Sequence, residues 1–337
     1  MQHHDQRPSD PARPDVQHAA RIDRRALLGG AAAGFAAVGL APAARAAGRA
    51  EDAEAPTRSA IRRVRLPRSG ELVPCIGLGT SRTFDRDPAT VASGEHGDLV
   101  QVMDRFLAWG GSVVDSSPMY GRAEAMVGAL SRAVGRADLF QATKVWTDEG
   151  REAGVAQMER SAELMGLAEG QAFDLLQVHN LVGLETHLET LRAWRAEGRV
   201  RYVGVTEMRD WETVERLVTG GDLDFVQLPY NVLDRRIEER LLPACIEHGV
   251  AVLVMRPYQA GRLFQAAEGR DLPGWAADVG AVSWGQLYLK WILGHPAAPL
   301  PIPATSKPHH LDDNMAAGVG PALDERQRKA LVELLES

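Results

Sequence analysis

Cysteine is nearly absent: Cys75 and Cys245 are the only two in 337 residues. Two thiols cannot build a disulfide framework, and lone cysteines are ordinarily small core residues rather than nucleophiles. Metal-ligand spacing is missing too. His187, His248 and the pair His309-His310 form no i,i+4 or Cys-x-x-Cys arrangement around His179, which argues against a zinc centre. No Gly-x-Gly-x-x-Gly follows an apolar run, so an open dinucleotide-binding sheet is disfavoured. There is no basic run, and the formal charge is −7. Such a chain is a poor partner for nucleic acid or anionic lipid. Beyond the N-terminal region, no stretch is long and apolar enough to span a membrane.

What is present begins with a segment that reads as an address rather than as structure. Residues 1–20 are polar and rich in Pro, His and Asp, a composition that favours disorder. Arg24-Arg25-Ala26-Leu27-Leu28 then opens an Ala/Gly-rich apolar run that closes on Ala44-Arg45-Ala46-Ala47. The run is too short and too small-residue-rich for a stable membrane span. The paired arginines resemble a twin-arginine export signal, and the small-x-small closing pattern places cleavage near Ala46. The expectation is a signal peptide over 1–46, a linker over 47–60, and a mature chain exported, to the periplasm, by the twin-arginine machinery. Met1–Ala46 carries six Arg against four Asp, so its removal takes the net charge from −7 to −9.

From Ile61 onward, short β-branched runs alternate with amphipathic stretches. Arg63–Leu66 and Leu72–Pro74 flank Pro67-Arg68-Ser69-Gly70, a hairpin signal. Eight apolar runs follow: Ile76–Thr80, Ser112–Asp115, Leu139–Lys144, Phe173–His179, Tyr202–Thr206, Phe225–Gln227, Ala251–Met255 and Leu300–Pro303. Helical periodicity lies between them, as in Leu99-Val102-Met103-Phe106-Leu107 and Leu188-Leu191-Trp194. Continuous apolar strands alternating with helices imply a parallel sheet buried on both faces. Eight repeats fit a (β/α)8 TIM barrel over 61–337, with an N-terminal β-hairpin, a long loop over 256–281 and an extra C-terminal helix over 322–336.

On this barrel the chemistry sits at the C-terminal ends of the strands. Those ends carry Asp115, Lys144, His179, Thr206-Glu207, Gln227, Met255-Arg256 and Ala304-Thr305-Ser306. Tyr120 follows Asp115 across a Ser/Pro loop. Each residue alone has an ordinary structural use, as a cap, a rim lysine or a satisfied histidine. Together at one mouth they suit proton transfer. A tyrosine ionises near pH ~10, and an ammonium within about 4 Å is expected to lower that value. Asp115 orients Lys144, and His179 donates to a substrate oxygen. These parts fit reduction of a carbonyl with Tyr120 as general acid, the hydride coming from a cofactor because no side chain supplies one. A barrel hydrolase would need a metal cluster or paired acid/base carboxylates, and neither is found.

Over residues 62–336 the chain resembles the aldo-keto reductase family. Asp115-Ser116-Ser117 with Tyr120-Gly121 and Glu124 is similar to its D-x-x-x-x-Y-G-x-x-E signature. Ala142-Thr143-Lys144, Gln177-Val178-His179-Asn180, Gly198–Val205, Gln227–Asn231 and Ile302–Asn314 match further family segments in order. The resemblance implies an NADP(H)- or NAD(H)-dependent oxidoreductase acting on small carbonyls or the corresponding alcohols. Its catalytic tetrad would be Asp115, Tyr120, Lys144 and His179. It also implies that Thr206, Glu207, Gln227 and Met255 meet the nicotinamide end of the cofactor, that Arg256 and Tyr258 meet its pyrophosphate, and that Gly79 and Thr80 are cofactor-binding as well. Thr305, Ser306, Lys307, His310, Asp313 and Asn314 would meet the adenosine end.

Departures from the family pattern modify those expectations. Glu207 stands where the family usually has Asn, and can only accept a hydrogen bond when ionised. Met255 stands where many members stack a tyrosine. Ala304 and His310 replace the usual Lys and Arg, although Lys307 with Thr305 and Ser306 still tilts the expectation towards NADPH over NADH. Short loops and walls at Met119, Trp146 and Tyr258 imply an open pocket for modest-sized aldehydes or ketones. The alternative these departures motivate is a low-turnover nucleotide-binding sensor or scaffold of the same fold.

Overall fold

Parallel pairing carries the architecture. In the computed structural model, which describes residues 61–135 and 138–336, eight strands pair in unbroken chain order. They are β3 (Leu78–Gly79), β4 (Val113–Asp115), β5 (Phe140–Val145), β6 (Phe173–His179), β7 (Val200–Thr206), β8 (Phe225–Pro229), β9 (Ala251–Met255) and β10 (Leu300–Pro301). Every neighbouring pair among them is parallel. A parallel bridge between Gly79 and Ala304 joins the first strand to the last, and Gly77 and Gly79 donate to Pro301 O and Pro303 O at 3.0 and 3.2 Å. The sheet is therefore a closed (β/α)8 barrel. All described residues lie in one unit, Ala53–Ser337. The expected signal peptide (1–46) and linker (47–60) lie outside the described residues.

Helices α1 (Gly97–Ala108), α2 (Ala123–Ala133), α3 (Arg151–Met165), α4 (Leu184–Ala196), α5 (Trp211–Thr219) and α6 (Leu241–His248) each connect consecutive strands. After β9 the chain forms α7 (Arg262–Ala266) and α8 (Trp284–Leu293); α9 (Pro308–Ala316) and α10 (Glu325–Glu336) follow β10. Helix boundaries follow local chemistry. Asp210 caps α5 by accepting from Thr213 N at 3.0 Å, and Ser283 caps α8 by accepting from Gln286 N at 3.1 Å. The 256–281 segment, expected as plain loop, contains α7 and two 3-10 turns. Its apolar residues Leu263 and Ala276 are buried, so it folds onto the barrel instead of crossing open solvent.

Two apolar layers result. One, with Leu78, Val114, Leu176, Val203 and Val226, lies between strands and helices. The other fills the inside of the barrel with Val113, Phe140, Leu175, Tyr202, Phe225, Leu253 and Leu300. The antiparallel hairpin β1 (Arg63–Arg65) and β2 (Leu72–Pro74) adds Leu66 and Val73 to that inner layer. Phe140 stacks on Tyr202 at 5.9 Å; the Tyr202 hydroxyl donates to Glu71 Oε2 at 2.6 Å, and its oxygen lies 2.8 Å from Ser69 Oγ. Each such side chain taken from water contributes roughly 1.5–3 kcal/mol. With the N-terminal end plugged, the cleft opens at the other end, where the strand-ending polar residues stand. No helix among the described residues is long and apolar enough to cross a membrane.

Candidate active site

The centre of the mouth is a buried ion pair. Lys144 Nζ donates to Asp115 Oδ1 and Oδ2 at 2.8 and 2.7 Å and to Ser116 O at 2.7 Å, which uses its donors fully. Gln177 Nε2 and Gln227 Nε2 also donate to the two Asp115 oxygens, at 3.2 and 3.1 Å. Strand alternation explains the convergence. Residues 115, 144, 177 and 227 lie at or beyond the middle of the parallel strands β4, β5, β6 and β8, with side chains turned inwards.

Tyr120 closes a 3-10 turn, Pro118–Tyr120, entered through Pro118 and capped by Ser117 Oγ, which accepts from Met119 N at 3.1 Å. Gly121 follows at φ 63°, and a Cβ there would approach Asp85 Oδ1 to 2.4 Å. The Lys144 ammonium lies 5.3 Å from the Tyr120 ring centroid, and the His179 ring meets Tyr120 edge-on at 5.8 Å. The structure thus brings Asp115, Tyr120, Lys144 and His179 together.

The electrostatics differ from expectation in one respect. Burial pushes the Tyr120 phenol above its ordinary range; Lys144 pulls it down and Asp115 raises it again, and the net direction is up. The anticipated net lowering by the ammonium is therefore corrected: desolvation outweighs it before any ligand enters. Burial, with Lys144 adding, pushes His179 down to about 3, so its imidazole is neutral at pH 7.

A cleft of about 1150 Å³ opens over these groups. That exceeds the roughly 300–1,000 Å³ of ordinary small-molecule pockets. Gly79, Thr80, Met119, Gln227, Met255, Arg256, Tyr258, Thr305, His310, Asp313 and Asn314 all line it. Thr206 is buried just beneath, its hydroxyl accepting from Asn180 N at 3.0 Å. Other predicted residues stand off. Glu207 Oε1 accepts from Met208 N and Arg209 N at 2.7 and 2.8 Å, so this oxygen holds its own turn and Glu207 does not line the cleft. Ser306 and Lys307 do not line it; Ser306 is half-buried and Lys307 exposed. Trp146 stands 6.4 Å from the His179 ring and is 39% exposed.

Three further features emerge only in three dimensions. Gln157 grips both sides of the Trp146 backbone, accepting from its N at 2.6 Å and donating to its O at 3.0 Å. Asp313 accepts from Ser283 Oγ at 2.9 and 2.8 Å and from Gln286 Nε2 at 2.8 Å, tying α9 to α8. The Ser-x-x-Gln spacing at 283–286 is the signal that marks that cap in sequence. Arg82 joins Arg256 as a second cleft-lining arginine, and neither forms an ion pair among the described residues. Arg256, Gln259 and Ala260 hold φ of 54°, 49° and 56°, backbone strain concentrated beside the cleft. Among the described residues no group of three or more His, Cys, Asp or Glu could hold a metal ion.

Comparison with known proteins agrees with this geometry. A NADH-specific methylglyoxal reductase of Escherichia coli K12 is 26% identical over 189 residues, covering 49% of this chain and 58% of that protein. An oxidoreductase of Schizosaccharomyces pombe is 32% identical over 152 residues, 43% of this chain and 47% of that one. The chain thus matches only 58% and 47% of the length of these two curated relatives. Among solved structures, an aldo/keto reductase from Klebsiella pneumoniae in complex with NADP and acetate superposes with a TM-score of 0.67 at 26% identity. That match covers 81% of this chain and 94% of that one. The sequence model of the aldo/keto reductase family spans residues 75–336, from the first barrel strand through α10. Barrel, strand-end constellation and whole-barrel sequence match converge, and the chain belongs to the aldo/keto reductase family.

Proposed function

We propose that this protein is an NAD(P)(H)-dependent oxidoreductase that reduces aldehydes or ketones, or oxidises the corresponding alcohols, with Tyr120 as general acid in the reducing direction. The observation that carries the reading is the Tyr120–Lys144–Asp115–His179 cluster at the floor of a cleft large enough for cofactor and substrate together.

The residues present suit a dinucleotide. Gln227 Oε1 is a buried acceptor without a partner on a cleft-lining side chain, matched to an amide N–H. Arg82 and Arg256 offer cations for phosphate oxygens, and Thr305, His310 and Asn314 offer polar contacts farther along. When bound, the cofactor supplies the hydride. The chain does the rest: the neutral His179 donates to the carbonyl oxygen, and Tyr120 delivers its proton to that oxygen as negative charge develops. Lys144, fixed by Asp115, stabilises the phenolate left behind. Met119 lines the cleft and Trp146 stands beside the His179 ring at its edge, which suits an open pocket for modest-sized carbonyls.

Lys307, with Thr305 and Ser306, supports a preference for NADPH over NADH. The arginine pair at 24–25 supports export by the twin-arginine route, with the mature protein starting near Ala47 and residing in the periplasm. That route carries folded proteins, so nucleotide bound before export would accompany the enzyme.

The test is aldehyde-dependent NADPH oxidation by the purified protein across a carbonyl panel, with Tyr120→Phe beside it. Turnover should fall about 10²–10⁴-fold in the variant while nucleotide binding persists. Undiminished turnover removes Tyr120 as the acid. Tight nucleotide binding without turnover on any carbonyl favours a sensor.

A further inference from the structure

The hydroxyl of Ser117 lies 2.9 Å from His179 Nδ1, and both residues are buried. The same oxygen accepts from Met119 N at 3.1 Å, capping the turn that presents Tyr120. A serine hydroxyl has one proton to give. With Met119 N already donating to Oγ, that proton finds an acceptor only on Nδ1. The opposite arrangement, Nδ1–H donating to Oγ, would leave a fully buried O–H with no acceptor among the described residues, which is costly. From this geometry we infer that Ser117 is a positioning residue, setting His179 in the tautomer with Nδ1 bare and its single N–H on Nε2.

The consequence is chemical. Burial keeps the ring neutral, so only one of its nitrogens carries a proton. With Nδ1 occupied by Ser117, the proton is on Nε2, on a side chain that lines the cleft. His179 therefore meets a carbonyl oxygen as a donor rather than as an acceptor that would repel it. The Tyr120 and Trp146 rings flank the imidazole, with ring centroids 5.8 and 6.4 Å from it. One hydroxyl thus serves both proton-bearing groups, holding the turn of Tyr120 and the tautomer of His179.

The inference rests on the proposed carbonyl chemistry only for its kinetic consequence. Its structural content is tested separately by long-range 1H–15N correlation on the full chain labelled in histidine, with His179 assigned through His179→Gln. The expected spectrum of the parent protein has His179 protonated on Nε2 alone at pH 7. A signal from Nδ1–H, or from both tautomers in comparable amounts, overturns the inference whatever the enzyme turns over. Ser117→Ala should then show a mixture of tautomers and lower kcat/KM about tenfold, with nucleotide affinity unchanged. Ser117→Thr, which restores a hydroxyl, should recover the single tautomer. An unaltered tautomer in Ser117→Ala refutes the role, and so does a loss of turnover in Ser117→Ala that comes without any change in the tautomer. Should Ser117→Ala not fold, the parent spectrum still decides. Failure of the carbonyl panel with the expected spectrum would count against the activity and leave the Ser117–His179 assignment standing.

Discussion

Lys144 and Asp115 meet through both carboxylate oxygens, at 2.8 and 2.7 Å, and neither side chain is more than 3% exposed. A pair this dry is costly to break from one side, because the remaining charge stays buried without its partner. Lys144→Met should therefore destabilise the fold by about 3–5 kcal/mol in urea unfolding. The double variant Asp115→Asn/Lys144→Met should recover much of that loss while remaining inactive. A double variant no more stable than the single one would show that packing, not charge, is what the pair contributes.

Acid should weaken the fold through its histidines. His179 is pushed down to about 3 and His295 to about 4, both by burial. An unfolded histidine protonates near pH ~6.5. Below that value the unfolded chain binds protons that the folded chain refuses, so stability is full above about pH 6.5 and drains as pH falls towards 4 and 3. Glu124 and Asp174 act in the opposite sense, since burial raises both and favours the protonated fold. Thermal melts between pH 8 and 4 should show a decline that His295→Asn makes shallower. Identical slopes for parent and variant would exclude His295 as a source.

The pH dependence of reduction should be one-sided near neutrality. With its imidazole neutral down to about 3, His179 contributes no titration step between pH 5 and 8. Tyr120, raised by burial, keeps its proton through the ordinary tyrosine range. In kcat/KM for reduction, the Tyr120 limb should appear only on the alkaline side, above pH ~10, and Tyr120→Phe should abolish it.

Glu124 sits behind the site rather than in it. It is 2% exposed and accepts from Thr143 Oγ1 at 2.5 Å, on the residue before Lys144. Glu124→Gln keeps an acceptor of the same shape and should be nearly neutral. Glu124→Ala opens a cavity and orphans the threonine hydroxyl, at a cost of about 2–5 kcal/mol. Chemical denaturation of the two variants checks the difference.

Cofactor choice should respond to Lys307. Lys307→Ala is expected to weaken NADPH binding about tenfold and leave NADH nearly unchanged, the NADPH effect shrinking as salt is raised. Equal losses for both nucleotides would assign Lys307 to something other than the extra phosphate.

The barrel and the identity of its strand-ending residues were legible because a parallel strand buried on both faces has to be continuously apolar. A polar residue at its C-terminal end, like Lys144 or His179, therefore stands out. Less legible was whatever depends on direction or on remote partners. Glu207 occupies the anticipated strand end, yet one of its oxygens turns back to its own loop. Ser117 and His179 are 62 positions apart, with no spacing rule to connect them. The direction of the Tyr120 shift turns on how much water burial removes, a quantity absent from any linear string. The Gln157 grip on Trp146 is hidden likewise, since an exposed-looking glutamine in a helix announces nothing.

The seam at Gly79 has its own consequence. A methyl group there would come within 2.6 Å of Ile302 O, so the two ends of the sheet touch backbone to backbone. Thr80 on one side of that join and Thr305 on the other both face the cleft. A nascent chain halted before Leu300 would own Tyr120, Lys144 and His179 but no closed ring to hold them. The binding groove exists only once synthesis has passed its final strand, which makes ligand capture a report on completed assembly.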